Sequence, residues 1–384
     1  MNTKSIVLAG AIGLSLVNMA SAINYVYVTG STAARASVVA AMTTVGVVFD
    51  SISSQVGQGN ATFNKCTYHI ITGHMVGDPV GVVTSLKTDW SGSEGGIADL
   101  AGSGTENFLD DSAVSSSSSP GPFISSPVDI AMADNAVAYS RNPRAAVTGA
   151  FVGVIPFKWV KEKGSLAGIT NVTDCALRVI LTGGQPAALL TGNAADTNWV
   201  YITGRDHFSG TRVNTFGDTG FGIFTSPSQL QVAANGSMID QVPPTGTYLG
   251  DYGYSSGGSV ATQMGYDLSQ GTSQDLYTGS GLHFSVIAYL GYSDAGTAVS
   301  NGGTELAYNG VMESTAAIQQ GQYQFWGNEY IYRKNTVSSQ ATSVYNLLSS
   351  VTTGINHQAD GISFIDQTTM KSARTGPTAD VIHN

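Results

Sequence analysis

Charge is what this chain has least of. Its 384 residues include 16 Lys and Arg against 26 Asp and Glu, 11% of the chain, and the formal net charge is −10. Soluble domains usually carry about 25% charged residues. An acidic chain with so few cations has no broad basic surface to neutralise a phosphodiester backbone, so nucleic acid is excluded as a partner. Cysteine is nearly absent, with only Cys66 and Cys175. They allow one possible disulfide in an oxidising compartment or two buried thiols, and the sequence leaves both open. His69 and His74 lie near Cys66, but the spacing fits neither common zinc pattern, so no metal site and no cofactor is expected. An apolar run of the roughly 20 residues needed to cross a membrane is also missing. The nearest approach, residues 6–17, lies between Lys4 and the small-residue sequence Ala20-Ser21-Ala22. That is the pattern of a secretory signal peptide over residues 1–22, cleaved after Ala22, and it predicts export to the periplasm or beyond.

What is present suits a large folded chain. Hydrophobic residues make up 42%, with 17 Tyr, 13 Phe and 4 Trp, and 47 Gly supply many turns. Single cores stop growing at about 250–300 residues, so this length predicts two domains or one two-lobed unit. Residues 24–28 read as a strand, 29–32 as a polar turn and 33–42 as a helix. Further β-type runs fall at 45–49, 151–155, 177–181, 283–290 and 323–332, and a helix is expected over 338–351. Strands alternating with helices favour an α/β architecture. Residues 102–122, with the serine run 115–119, read as a flexible surface insertion.

Three places share one chemical pattern, small hydroxyl and glycine residues just before an expected helix: Thr29-Gly30-Ser31-Thr32, Gly92-Ser93-Glu94-Gly95-Gly96, and Ser209-Gly210-Thr211 after Arg205. Glycine admits close backbone approach, a helix start offers free N–H groups, and hydroxyls add donors, which together suit a small oxyanion. Each is equally an ordinary helix cap, since Ser and Thr are preferred there. A different chemistry is raised by Gly253-Tyr254-Ser255-Ser256-Gly257, which fits the G-x-S-x-G elbow of serine hydrolases, with Ser255 as nucleophile and Asp267 and His283 following in order. The elbow needs a buried strand before the serine, and residues 246–252 are too short and polar for one.

The order of these motifs resembles the periplasmic phosphate-binding proteins of ABC importers, the PstS-like members of the type 2 periplasmic-binding-protein superfamily. The resemblance rests on the opening strand, turn and helix at residues 28–33 and on the G-S-x-G-G turn at 92–96. It continues through Asp129-Ile130-Ala131-Met132-Ala133-Asp134, the run 152–157, Ile169-Thr170-Asn171-Val172-Thr173, residues 177–183, Asn198-Trp199, and R-x-x-x-S-G-T at residues 205–211. It implies a two-lobed fold, each lobe a mixed sheet flanked by helices with a ligand cleft between. Lobe 1 would comprise residues 23–155 and 323–384, and lobe 2 residues 156–322.

The resemblance further implies a non-enzymatic binding protein for inorganic phosphate or a similar oxyanion, released to an ABC transporter permease in the membrane. The implied ligand residues are Ser31, Thr32, Ser93, Asp134, Arg205, Ser209, Gly210 and Thr211. Arg205 would supply a guanidinium fork matched to tetrahedral oxygens. Asp134 would accept the proton of hydrogen phosphate and penalise sulfate, which has none to give. Two residues depart from the family pattern: Glu94 puts a negative charge in the G-S-x-G-G turn, and Phe208 stands where a small residue is usual. Arg35 and Arg212 are positioned in sequence to offset Glu94. The competing reading is an extracellular surface or structural protein that keeps the fold without transport, which the low charge and abundant Gly, Ser, Thr and Tyr would suit.

Overall fold

The structure, a computed structural model, describes residues 22–102, 104–116, 119–232, 238–242, 251–268, 274–275, 283–358, 360–376 and 382–383. The expected signal peptide, apart from Ala22, lies outside the described residues. The first half of the chain runs β1 (Ile23–Gly30), α1 (Arg35–Thr43), β2 (Phe49–Gln58), β3 (Tyr68–Met75), β4 (Val83–Asp89), α2 (Ser93–Ala101), β5 (Thr105–Leu109), β6 (Phe123–Pro127), β7 (Ile130–Ala133) and β8 (Val147–Lys161). β1 lies between two parallel neighbours, β4 and β7. Its alternate residues Val26 and Val28 are fully buried, as period-2 patterning requires of a strand at the centre of a sheet.

The second half holds β9 (Asn171–Val172), α3 (Asp174–Ile180), β10 (Gln185–Pro186), α4 (Ala188–Thr191), β11 (Trp199–Thr203), α5 (Gly210–Asp218), β12 (Leu230–Val232), β13 (Met238–Gln241), α6 (Gly257–Gln263), β14 (Gln274–Asp275), β15 (Phe284–Gly291), α7 (Tyr292–Ser300), β16 (Thr304–Tyr308) and α8 (Thr315–Gln319). The chain then returns through β17 (Trp326–Lys334) and α9 (Ser339–Leu348) to the first half. One mixed sheet of twelve strands carries the fold, in the order β10-β11-β15-β8-β17-β7-β1-β4-β3-β2, with β16 joined through β8 and β9. This is the α/β class expected, a large mixed sheet flanked by helices.

β8 is the strand that connects the two halves. Its pairing runs against β17 up to Pro156 and passes to β15 from Phe157 onward. An aromatic core sits over that change of partner: Trp159 lies 5.8 Å from the Tyr289 ring and 5.6 Å from Phe325, all three buried.

Three local expectations need correction, and the choice left open at the cysteines is decided. Residues 177–181 belong to a helix, not a strand. The Thr173 hydroxyl accepts from the Ala176 N–H, Asp174 sits in the first turn of α3 and Arg178 in its last, and cap and dipole together outweigh the β-branched pair Val179-Ile180. Residues 45–48 form a turn, and the strand starts at Phe49 and continues through a mostly exposed polar edge. Within the expected insertion, β5 pairs with β6 just beyond it, and the Gln58 amide donates to Val114 O and Gly121 O, so the described part of it is tied down. Cys66 and Cys175 are not bonded to each other. Cys66 is buried beside the β2–β3 edge with Sγ on Asn60 O, whereas Cys175 is exposed on α3 in the other half.

Candidate functional site

Parallel strands of an open α/β sheet place their carboxyl ends along one edge, where ligands of such sheets bind. β1, β4 and β7 end at Gly30, Asp89 and Ala133, and the residues that follow them include Ser31-Thr32, Ser93 and Asp134. In the other half β11 and β15 are the parallel pair. Arg205 and the start of α5 follow β11, and α7 follows β15.

These ends meet on the Asp134 carboxylate. The Ser31 hydroxyl donates to Oδ1, Ser93 Oγ donates to Oδ1 at 3.1 Å, and Thr211 Oγ1 donates to Oδ2 at 3.2 Å. Ser93 Oγ also accepts from the Asp134 N–H at 3.1 Å, and Asn214 Nδ2 donates to Asp134 O at 3.0 Å. Ser31, Ser93, Asp134 and Thr211 are all buried. Of the expected ligand residues, then, four converge on one point, from both halves.

The other four take different places. Gly210 begins α5 directly on Ser93: a Cβ added there would lie 2.4 Å from Ser93 Oγ, so only glycine fits this approach. Ser209 caps α5, its hydroxyl accepting from Arg212 N, and so serves the helix. Arg205 is buried, but its guanidinium donates to Tyr254 O, Ser255 O and, at 3.5 Å, Thr32 Oγ1. Thr32 lines an open cavity.

The two departures from the family pattern also find their places. Glu94 does not point outward. Its buried carboxylate accepts from Asn135 Nδ2 at 2.9 Å and Arg141 N at 2.8 Å. Burial pushes its pKa up, while those two donors and the Arg141 charge pull it back. Phe208 is partly exposed, and its carbonyl accepts the Glu94 N–H at 2.9 Å, pinning α2 to the turn before α5. Arg212 does not offset Glu94: it is buried over the Phe216 ring and donates to Arg205 O and Tyr252 O. Ser255 is exposed, and the described residues directly before it, 251–254, form no strand, Tyr254 making only an isolated bridge to Arg205; residues 246–250 of the expected polar stretch lie outside the described residues.

Sequence reasoning missed one acid. Glu329 on β17 is fully buried against Asp134 and Ser31. Burial first, and the neighbouring Asp134 charge next, push its pKa well above the carboxylate range. Burial thus disfavours the charged form of Glu329, which lies next to the Asp134 cluster. The signal was legible in principle: Glu329 sits at the same period-2 register as buried Gly327 and Ile331.

The class defined by this fold and site is an open mixed α/β sheet with polar side chains gathered at strand ends of both halves. No family model and no curated protein matches the chain. Among solved structures it is similar to a candidate phosphate ABC transporter substrate-binding protein from Clostridium perfringens, with bound phosphate, at 14% identity over 89% of this chain and 99% of that one, TM-score 0.48. It is also similar to an ABC-type phosphate transport receptor from Vibrio cholerae, at 14% identity over 85% and 94%, TM-score 0.47. A third is PstS from Borrelia burgdorferi, at 13% over 85% and 93%, TM-score 0.40. Likeness at this level assigns no residue role and no ligand to this chain.

Proposed function

We propose that this chain is an exported solute-binding protein that takes a tetrahedral oxyanion, phosphate first, between its two halves for delivery to a membrane permease. The observation that carries the reading is the Asp134 cluster: three hydroxyls from turns 41 to 103 residues away in the chain aim at one carboxylate. The same groups that satisfy Asp134 are the groups an oxyanion needs. On entry of hydrogen phosphate the hydroxyls turn to its oxygens, and its own O–H donates to Asp134 in their place. Sulfate has no such proton, so it would leave the carboxylate facing an anion.

Entry requires the halves to part, because Gly210 rests on Ser93 and the Glu94 N–H is bonded to Phe208 O. The lobes of this reading are residues 23–155 with 323–384 and residues 156–322, and the change of β8 partners at Pro156 and Phe157 is where a hinge would lie. Closure would then follow from contacts the ligand makes with both halves.

The same contacts favour the second reading, a surface or structural protein that keeps the fold and has closed its cleft. Isothermal titration of the mature protein with phosphate and then sulfate decides. Phosphate binding in preference to sulfate supports the transport reading, and no phosphate binding at millimolar concentration overturns it.

A further inference from the structure

A cavity of about 410 Å³ opens beside the Asp134 cluster, between α1 and the Asn60–Lys65 region on one side and the starts of α6 and α7 on the other. Thr32 is in its wall, so Arg205 touches its border through Nη1. Two ionic side chains face it from opposite halves, Arg35 from α1 and Asp294 from the first turn of α7. Among the described residues, neither the Arg35 guanidinium nor the Asp294 carboxylate has a hydrogen-bond or ion-pair partner. Burial lowers the Arg35 pKa and raises that of Asp294, with Arg205, Arg35 and Lys65 pulling Asp294 back. Lys65 adds a second cation to the wall.

Two unpartnered ionic groups kept half-buried in a space of this size cost free energy unless something bridges them. The volume falls in the range of small-molecule sites, about 300–1,000 Å³. The rest of the wall mixes hydroxyls, the Asn60 amide and glycine backbone with Ala33, Ala36 and Tyr292. Its charge is locally positive, Arg35 and Lys65 against Asp294, on a chain of net charge −10. A ligand matching it carries an anionic group for Arg35 and Lys65 and hydroxyl donors for Asp294.

We propose that this cavity binds a small anionic polyol, a sugar phosphate or a sugar acid, gripped between Arg35 and Lys65 at its anionic end and Asp294 at its hydroxyls. The site is separate from the Asp134 cluster and does not require that cluster to bind phosphate.

Titration calorimetry on the mature full chain tests it with glucose 6-phosphate, gluconate, glucose and inorganic phosphate. At least one of the two anionic sugars is expected to bind at least tenfold tighter than glucose, and which one does so distinguishes the phosphoryl from the carboxylate source; inorganic phosphate reports separately on the Asp134 cluster. Arg35→Met and Asp294→Asn should each weaken that ligand at least tenfold and leave any inorganic phosphate binding unchanged. Lys65→Met, at an exposed position, should weaken it three- to tenfold with no change in melting temperature, which keeps the test open if Arg35→Met fails to fold. Anionic sugars that bind no tighter than glucose, or binding indifferent to Lys65→Met and Asp294→Asn, overturn the proposal. Sugar anion binding without inorganic phosphate binding sustains it while removing the phosphate reading, and the reverse pattern does the opposite.

Discussion

Two polar regions lie side by side at the strand ends, and they differ in how their groups are satisfied. Around Asp134 the hydroxyls, an amide and a carboxylate saturate one another in a buried, filled space. Beyond Thr32, Arg35 and Asp294 face open volume, without hydrogen-bond or ion-pair partners among the described residues. A saturated cluster exchanges protein hydrogen bonds for ligand hydrogen bonds, so its net gain is small for each bond and its selectivity comes from proton count. An unsaturated one keeps its donors and acceptor poised, and gains the full interaction when a ligand arrives.

The largest test strikes the shared acceptor. Asp134→Asn removes the carboxylate on which the three hydroxyls converge and which would accept the phosphate proton. Phosphate affinity in calorimetry is expected to fall about 10- to 100-fold, the effect of losing one hydrogen bond to a charged group, and the preference over sulfate to narrow. An unchanged preference would remove Asp134 from ligand discrimination. Next is Gly210→Ala, whose Cβ would meet Ser93 Oγ at 2.4 Å. It should destabilise by about 1–3 kcal/mol, as overpacking does, and lower the melting temperature. A wild-type melting temperature would mean the two helix starts do not abut in solution.

Glu329→Gln replaces a buried acid, whose charged form burial disfavours, by a neutral amide. Because folding raises the Glu329 pKa, this group's stability is present at low pH and is lost as pH rises above the unfolded carboxylate range. The variant should therefore gain stability relative to wild type as pH increases, read from melting temperatures between pH 5 and 8. A parallel profile for the two proteins would show that Glu329 is ionised in the fold. The same linkage acts on Glu162 and on Asp218, both pushed up to about 7 by burial, Asp218 in spite of its 2.7 Å ion pair with Arg374. Wild-type stability should accordingly rise as pH drops from 8 to 6.5. Below 6.5 buried His69 opposes the trend, because burial lowers its pKa to about 4 and protonation then favours the unfolded chain.

The smallest effect is expected at Cys175, far from both regions. Cys175→Ser should change stability by less than about 0.5 kcal/mol, as for an ordinary surface site. Thiol labelling of the native protein should modify Cys175 and spare buried Cys66.

Much of this was legible because it is local. β1, the helix start at Ser209-Gly210 and the closing helix α9 follow from alternation and capping residues within a few positions of one another. Where local signals conflict, the reading failed: a run of β-branched residues hid the cap of α3, and a polar edge strand gave β2 no hydrophobic pattern to show. The hydroxyl and glycine turns were visible for the same local reason, as helix starts that expose donors.

The sequence by itself determined an acidic α/β chain with oxyanion-compatible turns, since composition, periodicity and caps act over short stretches. Only the tertiary structure decided which turns share a site. Strand order brings Ser31, Ser93 and Thr211 to Asp134, sends Thr32 with Arg205 to the neighbouring cavity, and buries Glu329 beside the cluster. Pairing across the sheet sets those distances, and the energy of burying a carboxylate depends on neighbours remote in sequence.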